Sequence, residues 1–231
     1  MKCTLILAFA MVIFSLPVHA VDIESTCYGT TASGRLKNGV ALPVNGPNFE
    51  SYTTLGDLLG RTWVHSRVRD VIVRSYKALE TYRPGTVYVY GETGKQYGGP
   101  FKPHMTHQNG LSVDFMVPIV DSKNRSIPLP TNAFNKYGYG IEFDAKGQYG
   151  SYTIDFEAMA AHLLALKQEA DRTGIGMWRV IFDPVLQPYL FATKNGSLLK
   201  ENNISFSKKP SWVRHDEHYH MDFIVACEEM P

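Results

Sequence analysis

The most pointed chemical signal in this sequence lies in its histidines. Five of them stand in two short clusters, His104 with His107 and His215 with His218 and His220, over a hundred residues apart. Zinc favours imidazole nitrogen and carboxylate oxygen, and a catalytic zinc site usually takes three protein ligands plus water. Two distant clusters of this kind suggest two chain elements brought together around one metal. His65 and His162 fall outside the pattern, the first alone near a helix start and the second within a helix with no paired ligand.

Strands must position the clusters. In Tyr219 to Ala226, alternation sends Tyr219, Met221, Phe223 and Val225 to one face and His218, His220 and Asp222 to the other. The first set packs; the second faces a polar site where His218 and His220 can both approach one ion, one as ligand and one as a catalytic group. The same alternation in Val113 to Val117 turns Asp114 away from Val113, Phe115 and Val117. An acid inside an apolar strand needs a partner, and a cation from a neighbouring strand supplies one. Asp222 reads either as an orienter of an imidazole or as a solvated acid at a strand end.

Other elements frame these two. Residues 28–54 are rich in Gly, Asn, Pro and Ser and predict loops with short extended pieces. Val68, Val71, Ile72, Tyr76 and Leu79 recur at helical spacing over Ser66 to Glu80, with Ser66 as the expected cap. Thr86 to Tyr90 and Trp178 to Phe182 read as strands, Asp155 caps a helix running to about Arg172, and Pro184 to Phe191 reads as a short helical turn. Residues 118–152 show no usable periodicity. The class is α+β, a small, mainly antiparallel sheet with flanking helices and long loops, carrying the metal site on the sheet.

Lys2, the apolar run from Leu5 to Leu16 and the Val-His-Ala site read as a signal peptide cleaved near Ala20, which places the mature chain in the periplasm or outside the cell. Residues 21–231 then form one domain. No later stretch has the roughly 20 apolar residues of a transmembrane helix. Losing Lys2 takes the formal charge from +1 to zero, and the other basic residues are scattered, so nothing asks for nucleic acid or an anionic membrane. Cys3 leaves with the leader, and the remaining even pair, Cys27 and Cys227, is expected to form a disulfide in an oxidising compartment.

The motifs His104-Met-Thr-His107-Gln-Asn-Gly-Leu-Ser-Val-Asp114 and His215-Asp-Glu-His218-Tyr-His220 resemble those of the penicillin-insensitive murein endopeptidases, the M74 peptidases, within the lysostaphin and D-Ala-D-Ala metallopeptidase group. Fainter echoes are Gly34 to Gly39, the Gly98-Gly99 loop and Arg179 to Pro184. The resemblance implies zinc ligands at His107, Asp114 and His220, a catalytic His218, a further active-site histidine at His215, and peptidoglycan as partner. It implies hydrolysis of the D-alanyl to diaminoacyl cross-link, with His215 or the metal stabilising the oxyanion. His104 matches a position that can help hold a second metal in that family; no downstream Asp-x2-His completes such a site, so one zinc per chain is expected. The rival readings are a D,D-carboxypeptidase or dipeptidase on stem peptides and a non-catalytic, zinc-stabilised wall-binding module.

Overall fold

Val113, Phe115, Tyr219, Met221 and Phe223 are all buried on one side of two neighbouring strands, and that shared apolar face organises the molecule. The structure is a computed structural model that describes residues 23–211 and 213–230. The leader expected over residues 1–20 lies outside the described residues.

Five strands form the central sheet: β1 (Phe49–Ser51), β2 (Tyr88–Tyr90), β3 (Ser112–Met116), β4 (Gly176–Ile181) and β5 (His218–Ile224). Their spatial order is β4-β5-β3-β2-β1, antiparallel except where β1 runs parallel to β2. Helices α1 (Ser66–Tyr82) and α2 (Phe156–Thr173) pack together over the apolar face. There Tyr76 stacks on His162 at 4.9 Å between ring centres, and Phe115 meets the His162 ring edge-on at 4.8 Å. His162 is fully buried, hydrogen-bonds Tyr219, and has its pKa pushed down to about 3 by burial, so it is a neutral part of the core. The architecture is the expected α+β arrangement.

The register of β3 on β5 decides the site. Asp114 lies opposite His220 and Ser112 opposite Asp222, while Phe115 faces Tyr219 and Val113 faces Met221 on the core side. Because side chains alternate with period two, one register shift would send the histidines into the core. Packing of the aromatic face therefore fixes the polar one.

Helix ends follow local chemistry, with one correction. Asp155 caps α2 by accepting from Ala158 N, and Gly174 ends it in the left-handed conformation. The cap of α1 is His65, not Ser66: its Nδ1 accepts from Arg67 N at 3.2 Å, and its backbone N–H donates to Gly110 O. The lone histidine thus ties α1 to the loop that carries His107. The irregular segment and the residues just after it contain short strands at Ile119–Val120, Ser126–Ile127, Gln148–Tyr149 and Tyr152–Ile154, which form a second sheet. Among the described residues no helix is long and apolar enough to cross a membrane.

Cys27 and Cys227 form a disulfide across a sequence separation of 200. It reinforces backbone bonds from Gly29 N to Glu228 O and from Glu228 N to Cys27 O. Closing so long a loop restricts the unfolded chain, and replacing both cysteines by serine is expected to lower stability by about 2–4 kcal/mol. Denaturant unfolding of the variant against the parent checks this; coincident midpoints would show that the backbone bonds alone hold the ends together.

Candidate metal centre

Asp114 sits at the centre of the histidines, fully buried at the middle of β3. Its Oδ1 lies 2.8 Å from His220 Nδ1 and 3.3 Å from His107 Nε2. Its Oδ2 lies 3.8 Å from His104 Nδ1 and 3.9 Å from His218 Nε2. One carboxylate thus divides four imidazoles into two pairs, one on each oxygen. A buried carboxylate without such company would be expensive to ionise. Burial alone would raise its pKa, but the surrounding histidines, His107 and His218 foremost, and the hydrogen bond from His220 hold it well below the usual carboxylate range.

Each ring is oriented by an acceptor on its other nitrogen. The Thr93 carbonyl accepts from His107 Nδ1 at 3.1 Å, and Asp222 Oδ1 accepts from His220 Nε2 at 3.0 Å. Glu92 Oε2 accepts from His104 Nε2 at 2.6 Å, and Glu217 Oε1 accepts from His218 Nδ1 at 2.7 Å. Carbonyls and ionised carboxylates only accept, so these contacts fix the tautomers of His107, His104 and His218 and aim His107 Nε2, His104 Nδ1 and His218 Nε2 at Asp114, while His220, with a carboxylate at each nitrogen, donates from Nδ1 to Asp114 Oδ1 as well. Fixing a ligand ring through its far nitrogen is how proteins commonly tune metal sites. Asp222 is fully buried and also takes a 2.6 Å hydrogen bond from Ser112 Oγ, so of its two readings the orienter fits.

The donor set could hold a metal ion. His107 Nε2 is buried and makes no hydrogen bond, while its Nδ1 is occupied by Thr93. Backbone strain points the same way: His107 has φ +67°, a region that side chains other than glycine seldom adopt and that clusters at functional sites. Gly94 permits the approach, because a Cβ there would stand 3.0 Å from the His107 carbonyl. The ligand atoms of His104, His107 and Asp114 lie within 4.8 Å of one another. That trio includes two of the three expected ligands; the third, His220, is the ring nearest to Asp114.

Charge sets a proton toll on metal binding. Burial opposes the charge on His220, yet Asp222 and Asp114 on either side raise its pKa above the ordinary histidine value. A ligating imidazole must shed its proton. Apparent metal affinity is therefore expected to fall about tenfold per pH unit below that raised pKa, measurable by competition with a chromophoric chelator. A flat profile would place His220 outside the ligand set.

Three further residues build the site. Glu92 is gripped by Arg61 through Nε to Oε1 and through Nη2 to Oε2 at 2.9 Å, and by Tyr52 Oη at 3.0 Å. Burial works against its charge, but Arg61 and His104 hold its pKa down at about 2. Glu217 orients His218, and its place between His215 and His218 was the available clue. Tyr139 arrives from the irregular segment: its hydroxyl donates to Asp114 Oδ2 at 3.0 Å and accepts from Glu92 N at 2.8 Å. Gly91 leaves the room, since a Cβ there would meet the Tyr139 hydroxyl at 2.6 Å. Tyr139→Phe is expected to weaken metal binding about 10–100-fold, as loss of an outer partner typically does; unchanged affinity in a competition titration would mean Asp114 needs no such support.

A cleft of about 520 Å³ opens over this cluster, with His104, His215, His218 and Tyr139 in its wall. His215 lies 4.5 Å from His218 between ring centres, and the Val213 carbonyl accepts from its Nδ1 at 2.9 Å. Burial, reinforced by the His218 charge, pushes its pKa down to about 3, so the ring is neutral and its Nε2 carries a lone pair.

Comparison with curated proteins gives no significant match. The profile of the penicillin-insensitive murein endopeptidases matches residues 27–229, from the first cysteine of the disulfide to just beyond the second, with both histidine motifs inside. The chain belongs to the penicillin-insensitive murein endopeptidases, peptidase family M74.

Proposed function

We propose that the protein is an exported, zinc-dependent endopeptidase that hydrolyses the D-alanyl to diaminoacyl cross-link of peptidoglycan, using one domain over residues 21–231. The observation that carries this reading is the convergence of four oriented imidazoles on the buried Asp114 beneath an open cleft. In this reading His107, Asp114 and His220 hold the zinc, and a leader ending near Ala20 directs export. When bound, the ion supplies a water activated near neutral pH and a Lewis acid for the scissile carbonyl.

The chain's own residues do the rest. His218 receives the water proton at Nε2 and returns it to the leaving amine, the ordinary duty of a positioned imidazole. Burial would weaken it as a base, but the Asp114 and Glu217 charges outweigh burial and raise its pKa. His215, neutral with a lone pair on Nε2, has no proton to offer an oxyanion, which leaves that charge to the metal. We assign His215 to packing against His218 and fixing its place in the cleft wall. His104 remains the candidate for a second metal, with Glu92 behind it. A purely structural zinc module has no use for a His218–Glu217 dyad that faces the cleft.

The test is digestion of purified sacculi followed by muropeptide analysis. Conversion of cross-linked dimers into monomers, abolished by chelator, is the expected result. Shortened stems with dimers intact would make the enzyme a carboxypeptidase, and unchanged muropeptides would leave a binding module.

A further inference from the structure

The charged side chains around the cleft are almost all spoken for. Glu92 is bound by Arg61 and His104, and Glu217 by His218. Arg214 places its guanidinium on Glu142 at 2.9 Å, on Asp216 at 2.6 Å and on the Phe143 carbonyl at 3.1 Å, so it braces the wall. Lys136, an exposed residue, also lines the cleft, and among the described residues its amine has neither an ion pair nor a hydrogen bond.

The backbone around this amine is built, not slack. Lys136 and Tyr137 both take left-handed conformations, with φ +51° and +56°. Two consecutive residues of this kind persist only where their surroundings dictate them. Here Asn135 Oδ1 accepts from Asn132 N and Gly138 N at 2.9 and 3.0 Å, its Nδ2 donates to Pro130 O at 2.6 Å, and Tyr137 N donates to Asn132 O at 2.7 Å. Three residues on, Tyr139 is anchored to Asp114. The turn that carries Lys136 is thus fixed to Asp114 at the centre of the site.

We propose that Lys136 is a specificity-determining residue: it binds a carboxylate carried on the carbon next to the scissile amide nitrogen. This rests on the reading of the cleft as the peptidase site. In a D-alanyl to diaminoacyl bond the amide nitrogen is attached to a carbon that bears its own carboxylate, so the leaving group carries a negative charge one carbon away from the reacting amine. A free ammonium at the cleft wall meets that charge, while Arg214, saturated by two carboxylates, does not. A hydrogen bond between charged groups in such a site is typically worth about 10–100-fold in kcat/KM.

The experiment uses the metal-loaded mature protein and two synthetic cross-linked peptides that differ only in having this carboxylate free or converted to the carboxamide. The parent is expected to prefer the free carboxylate by about 10–100-fold in kcat/KM. Lys136→Met should lose that preference by slowing on the carboxylate peptide alone, with metal content unchanged, and Lys136→Arg should keep most of it. Equal slowing of Lys136→Met on both peptides, or a carboxylate preference that survives the substitution, overturns the role given to Lys136. Failure of the metal-loaded parent to cleave either peptide overturns the peptidase reading itself and this inference with it.

Discussion

His218→Ala is expected to slow cross-link cleavage by about 10²–10⁴-fold, the usual contribution of a positioned acid–base group, while the protein keeps its metal and its fold. His218 Nε2 stands 3.9 Å from Asp114 Oδ2, on the side of the carboxylate away from His107 and His220, and Glu217 secures its other nitrogen. The side chain faces the cleft wall and not the aromatic core, so truncation removes a proton carrier without opening the packed face. Metal analysis and cleavage kinetics on the same preparation check this. Loss of metal together with activity would make His218 a ligand, and full activity with metal retained would end its role in proton transfer.

A larger loss is expected from the proposed ligands. His220→Ala and Asp114→Ala should each lower metal affinity by more than the roughly 10–100-fold typical of an outer partner, and activity should fall in step. His104→Ala is the discriminating control, because the trio of His104, His107 and Asp114 is the compact alternative. If His107, Asp114 and His220 are the ligands, His104→Ala retains one metal; if His104→Ala empties the protein and His220→Ala does not, the alternative trio is the site.

How much of this was legible in the sequence depended on periodicity. Val113, Phe115 and Val117 frame Asp114, and Tyr219, Met221 and Phe223 frame His220, so the alternation revealed which side chains share the polar face. That the two would stand opposite each other needed the register, which packing of Phe115 against Tyr219 helps to fix. Helix α2 was legible from Asp155 and its apolar spacing. The cap of α1 was misread because capping preferences favour Ser66, whereas His65 offers a ring nitrogen that does the same work.

The supporting shell left almost no trace. Tyr139 and Lys136 lie in a segment shaped by turns and left-handed residues, and such a segment has no period to read. Glu92 follows the end of β2 as an unremarkable acid, and its importance comes from Arg61 and His104, which only the fold brings to it. The clustered histidines and Asp114 declare themselves by type and spacing, but the groups that orient them are chosen by three-dimensional proximity.

Metal dependence is tested by stripping the mature protein of metal, measuring dimer-muropeptide cleavage, and repeating the measurement as zinc is returned in substoichiometric steps to the parent and to His220→Ala. Activity is expected to vanish with the metal, to return in the parent to a plateau at one equivalent, and not to return in the variant. Undiminished cleavage by the metal-free parent would contradict metal dependence outright.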